Sequence, residues 1–335
     1  QTVSPGKIVV EIDARAIART HGGKLRDVPS AFWDELAGMG VGVIWLKGVW
    51  KKSPLSHRLM QIWNRMPRPQ LGGLSENIPR WASAYDVFDY VPDPDICDSD
   101  EELIALAQYL SDKGVRVIYD FVTNHAAFDS PLTHSRVGLC KFFKGTTEYL
   151  FFLLRRFSQA AQQSNRQLLK WLGPKVRPSN AEKTREWLAD GSRPVSRSLV
   201  QRGKTVMHAW YGPGNPPMSN LAQIDFTSPQ ARRYLIDQVL PQIARLSLNG
   251  GLRADLAYLA LRLHVFEVFA RSYGMDWEEF EATTPKEFWD EFMEAVRERY
   301  PEMIVIAETY EAGDKTFSPC NGRAGVLQGF GIATY

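Results

Sequence analysis

The chain has 335 residues, 44% of them hydrophobic and 12% aromatic, which suffices for a large core and suggests about two domains. Charged residues make up 23%, and no stretch approaches the roughly 18 uninterrupted apolar residues of a membrane span, so disordered, fibrous and transmembrane classes are excluded. The net charge of +2 hides an asymmetry: residues 136–204 carry 15 Lys or Arg against 4 Asp or Glu, leaving 25 against 34 elsewhere.

Short β-rich runs alternate with helical patterns, as in a parallel α/β fold. The first strand is expected at Lys7 to Ile12. A helix follows over Ala31 to Met39 with Ser30 as N-cap, ending at Gly40 before a second strand, Val41 to Leu46. Ser99 and Glu102 read as a capping box for the next helix, and Gly114 as its stop before the strand Val115 to Tyr119. Ser228 and Pro229 read as N-cap and first residue of a helix to Leu246, leading into the strand Gly251 to Asp255. Thr284, Pro285 and Glu287 repeat that signal before Phe288, Phe292 and Val296, and the strand Met303 to Ala307 closes the series.

Asp120 and Asp255 stand 135 residues apart, far more than one βα unit needs. An inserted domain is therefore expected at 126–222, between two parts of a barrel domain at 1–125 and 223–335. The insert contains the basic segment and a helical-looking stretch, Thr147 to Leu172. Three cysteines, Cys97, Cys140 and Cys320, are too few and too scattered for a disulfide framework or a paired-ligand zinc site. Gln1 opens the chain with no basic-then-apolar leader, and the compartment is left open.

In a parallel α/β barrel, the C-terminal ends of the strands share one mouth. Three strand ends here carry polar groups: Asp120 to His125, Arg253 to Asp255, and Glu308. Two carboxylates about 5 to 5.5 Å apart can act as nucleophile and general acid in retaining glycosidic cleavage. Arg253, two residues before Asp255, shares its strand face and is expected to keep it ionised, while a partly dry site would raise Glu308.

Asp120-Phe-Val-Thr-Asn124-His125, Gly251-Leu-Arg253-Ala-Asp255 and Ile-Ala-Glu308 resemble the first three sequence signatures of the α-amylase family, glycoside hydrolase family 13. Phe32 to Pro54, Tyr85 to Tyr90 and Leu221 to Thr227 extend the resemblance over most of the chain outside the insert. It implies a TIM-type (β/α)8 barrel with a domain B insertion after the third strand, and an α-glucoside hydrolase or transglycosylase acting on α-glucans or α-linked oligosaccharides. By that resemblance Asp255 is the nucleophile, Glu308 the acid/base and Arg253 the partner of Asp255. His125 is a hydrogen-bond donor to the sugar, Tyr85 its platform and Asp120 a buried support. Asn124 is a calcium ligand in those relatives that bind calcium; no other cofactor is implied.

This sequence also departs from the pattern. Leu252 replaces a common Phe, and Tyr258 and Leu259 stand where many amylases have Lys-His, so aglycone recognition differs. Only 27 residues follow Glu308. The expected barrel is thus incomplete at its C-terminal end, without the fourth signature. A scaffold or subunit completed by further residues or a partner chain is the rival reading. Trp210 and Tyr211 read equally as a sugar-stacking lip or a loop anchor. The basic segment 136–204 reads as a solvated face, or as a dock for an anionic partner.

Overall fold

The computed structural model describes residues 8–58, 83–134, 139–143, 192–194, 199–202, 205–210, 218–268, 270, 275–308 and 332–334. Its organising element is a parallel sheet of six strands whose spatial order follows the chain: Ile8–Asp13, Val41–Lys47, Arg116–Val122, Gly251–Asp255, Ile304–Glu308 and Ile332–Thr334. Sequential parallel order is the signature of a barrel wall. Among the described residues six strands of the TIM type form part of a barrel, as expected.

The two faces of this sheet differ in chemistry. Val43, Trp45, Ile118, Ile304 and Ile306 form one small apolar cluster on the inner face. Ile44, Leu46, Val117, Tyr119, Phe121, Leu252, Ala254, Val305 and Ala307 belong to the main core shared with the helices. Because side chains alternate along a strand, Asp120 follows Ile118 inward and Glu308 follows Ile306. The register fixes depth as well: Arg253 sits opposite Asp120 on one side and Ile306 on the other.

The helix Ser30–Gly38 begins one residue earlier than expected, with Pro29 at the N-cap and Ser30 already helical. The helix Asp100–Ser111 has Ser99 at its N-cap, but no side-chain cap bond forms there. Glu102 pairs with Arg26 through Oε1 and accepts from the Asp98 amide through Oε2, one residue before the expected cap. Ser228 caps Pro229–Tyr234 as expected, accepting from the Ala231 amide. The helix then widens into a π-turn, Leu235–Val239, ahead of Pro241, which supplies no amide to the regular ladder. Thr284 is not an N-cap. It terminates Trp277–Thr283, and Phe288–Arg299 starts after Glu287, whose carboxylate accepts from the Arg262 amide.

Between the third and fourth parallel strands the chain forms a second, antiparallel sheet, ordered His125–Ala127, Met218–Gln223, Thr205–Trp210, Leu199–Arg202, Ser192–Pro194. The helical-looking stretch Thr147 to Leu172, Cys320, Tyr211 and most of the basic segment lie outside the described residues. Cys97 and Cys140 are buried thiols. No helix among the described residues is long and apolar enough to cross a membrane.

Candidate active site

Four strand-end groups meet at the C-terminal mouth of the parallel sheet. Arg253 Nη1 donates to Asp255 Oδ1 at 2.7 Å, and Arg253 Nη2 pairs with Glu308 Oε2 at 2.7 Å. Asp255 and Glu308 thus sit on neighbouring nitrogens of one guanidinium. Asp120 Oδ1 lies 3.4 Å from Arg253 Nη1. All four are buried, with no more than 5% of any residue exposed.

Several other groups hold this cluster. Trp45 Nε1 donates to Asp120 Oδ1 at 3.0 Å, and the Gly48 amide donates to Oδ2 at 3.4 Å. Arg253 lies over two aromatic faces, 4.6 Å from the Trp45 ring and 5.4 Å from the Tyr85 ring. The Leu256 amide donates to Glu308 Oε2 at 2.7 Å, and Leu256 adopts a left-handed conformation, φ 44°, to do so. That backbone region costs a non-glycine residue about 1–2 kcal/mol, a cost the surrounding contacts sustain. Thr123 Oγ1 donates to the Asp255 carbonyl, tying the ends of the third and fourth strands together.

One guanidinium cannot neutralise three carboxylates in a dry site. Burial pushes the Asp255 carboxyl up to about 8; Arg253 opposes the rise, and Glu308 and Asp120 add to it. The expectation that Arg253 alone keeps Asp255 ionised therefore fails, because desolvation and two neighbouring carboxylates outweigh one cation. Burial also raises Asp120 to about 6, against the pull of Arg253 and Trp45. For Arg253 itself burial works against the cation, but Asp255 and Asp120 more than offset it and its pKa rises.

The predicted binding residues lie close by. His125 is buried, and burial lowers its pKa to about 4 against a backbone hydrogen bond at Tyr85, so its imidazole is neutral at pH 7. Tyr85 is half-buried, and its hydroxyl is driven up by burial and by the charge of Asp120. Tyr258, on the turn Ala257–Ala260, is raised by burial and then by Glu308 and Asp255, which places its hydroxyl in the field of the pair. Asn124 Oδ1 accepts from Gln223 Nε2 at 2.9 Å. An amide NH2 facing that oxygen does not fit a calcium ion there, so the implied metal finds no matching ligand set at Asn124.

The structure thus brings Asp120, Arg253, Asp255 and Glu308 into direct contact and sets Tyr85 over the guanidinium. Trp45, Gly48, Leu256 and Gln223 complete the arrangement without having been singled out in the sequence. For Trp45 a signal existed, since it shares the inward parity of Val43. Leu256 and Gln223 carried none.

A family model described as α-amylase, catalytic domain, matches residues 23–324. Among solved structures, an α-amylase from Lactobacillus plantarum matches with TM-score 0.52 at 15% identity, covering 98% of this chain and 52% of that one. A family GH13_31 enzyme gives TM-score 0.51 at 14% identity, covering 93% and 48%. The trehalose-6-phosphate hydrolase of Bacillus licheniformis gives 0.50 at 13%, covering 90% and 44%. At such identities the likeness concerns the fold alone, and the chain spans about half the length of these proteins. No curated protein sequence matches it.

Proposed function

Because the chain belongs to the α-amylase catalytic-domain family, we propose that it cleaves or transfers α-glucosyl units with retention of configuration, with Asp255 as nucleophile and Glu308 as acid/base. The observation that carries this reading is the shared guanidinium. Arg253 bridges two inward-facing strand-end carboxylates at 2.7 Å each, which gathers at one mouth the two carboxyls that retaining cleavage uses as nucleophile and acid.

Asp255 attacks the anomeric carbon and forms a glycosyl ester as the glycosidic C–O bond breaks and the Glu308 proton passes to the leaving oxygen. Glu308 then takes a proton from water or from an acceptor sugar hydroxyl. That oxygen attacks the anomeric carbon and frees Asp255. The working pair needs one proton and one charge between its two carboxyls. Three carboxylates around one cation favour that state at neutral pH, since full ionisation would leave two uncompensated negative charges in a buried site. His125, neutral and buried, donates a hydrogen bond to a sugar hydroxyl, and Tyr85 offers a ring face beneath the sugar. The family resemblance assigns Tyr258 to the leaving-group side of the pair.

A slow-reacting fluorinated α-glucosyl donor should leave a glycosyl ester on the peptide containing Asp255, visible as a mass increase. Asp255→Asn should abolish both the adduct and turnover of an aryl α-glucoside, by roughly 10³-fold or more. Near wild-type turnover in that variant would remove the assignment, and absence of any glucosyl transfer by the intact protein would favour the scaffold reading.

A further inference from the structure

Gln223 ends the strand Met218–Gln223 and pairs with His125 across the antiparallel ladder. Its Nε2 donates to the Asn124 carbonyl at 2.8 Å, to Asn124 Oδ1 at 2.9 Å and to the Ile224 carbonyl at 3.4 Å. Three acceptors around one nitrogen fix the amide's orientation, because turning it over would set Oε1 against three oxygens with no proton between them. The Asn124 amide is fixed by the same logic: reversed, its NH2 would meet the NH2 of Gln223. Asn124 and Gln223 are 0% and 4% exposed, so water does not relax either constraint.

A calcium ion takes six to eight oxygen ligands. At Asn124 the two available oxygens are already aimed at a hydrogen-bond donor. Among the described residues, no group of three or more His, Cys, Asp or Glu is placed to hold a metal. The structure assigns to Gln223 the place a cation would take: a positioning residue whose amide locks Asn124, and through it the adjacent His125, so that this junction between the two sheets needs no calcium.

Terbium luminescence, with terbium as a calcium probe, and thermal unfolding in chelator or in millimolar calcium test this on the intact protein. Wild type should show no terbium binding that Asn124→Ala removes; saturable binding abolished by Asn124→Ala would overturn the assignment. Gln223→Asp replaces the donor with oxygens, so its unfolding midpoint should fall in chelator and recover with calcium, with new saturable terbium binding. A Gln223→Asp protein that unfolds like wild type in both conditions and binds no terbium would also overturn it. If that variant fails to fold, Gln223→Ala should unfold at a lower midpoint that calcium does not restore, and a wild-type midpoint there would be the refuting result. Neither readout depends on turnover, so the outcome stands apart from the proposed activity.

Discussion

Asp120 touches no substrate in the proposed scheme, yet it is one of three carboxyl groups gathered on a single guanidinium. Its charge raises the Asp255 carboxyl, so it helps to set the pH at which the pair loses its shared proton. Asp120→Asn keeps an acceptor for Trp45 Nε1 but removes that charge. The alkaline limb of the kcat/KM profile, where the pair loses its proton, should then move to lower pH. An unmoved limb would show that Asp120 does not act on the pair electrostatically. Asp120, Arg253, Asp255 and Glu308 were all legible in the sequence, because apolar strands that end in ionisable residues state their own inward parity. Trp45 was readable by the same parity, but its indole donor gains meaning only from the register that sets it beside Asp120. Leu256 was not legible at all. Its part comes from its own amide and a left-handed backbone, which no side-chain pattern records.

At the scale of elements, the strands were more legible than the helix starts. A strand is bounded by the pattern of its own burial, whereas a cap competes with distant groups. Glu102 is drawn to Arg26 and Glu287 to the Arg262 amide, and neither partner is near in sequence. The fourth strand shows how tightly the elements are fitted. A Cβ on Gly251 would lie 2.3 Å from the Ile304 carbonyl oxygen and 2.7 Å from Ile118 Cγ2, in a residue with φ +152°. Neither neighbouring strand can withdraw without breaking the register that places Arg253. Gly251→Ala should therefore destabilise the protein by more than about 2 kcal/mol and reduce activity with it, a combined overpacking and backbone cost. Gly114→Ala is the control. Its φ is +74°, but a Cβ there meets nothing within 4 Å, so only the backbone cost of about 1 kcal/mol should appear. Urea unfolding of both variants tests the contrast, and equal losses would show that the close approach at Gly251 is easily relaxed.

At the scale of the whole molecule, the site imposes a pH dependence on stability. An Asp whose folded pKa lies above its unfolded value binds more protons in the folded state between the two, so stability falls as pH rises across that interval and levels off above it. Asp255 moves from an ordinary 3.8 to about 8, and Asp120 to about 6, both with burial as the leading cause. These carboxyls should contribute less stability as pH rises from about 4 to 8, while His125 and His264, which burial lowers to about 4, contribute the opposite slope below about pH 6.5, so the Asp255 part is read as a difference between two proteins. Asp255→Asn keeps the shape and an acceptor for Arg253 but cannot ionise. Its unfolding midpoint should exceed that of wild type at pH 8, and the two curves should converge towards pH 4. The gap should widen as pH rises through this interval. Taking the difference between the curves removes the exposed pairs common to both, such as Arg26 with Asp98. Curves that stay parallel from pH 4 to pH 8 would mean that the folded chain does not hold the proton shared by Asp255 and Glu308. A gap that opens with pH would show that the charge balance proposed for catalysis is held against the stability of the fold.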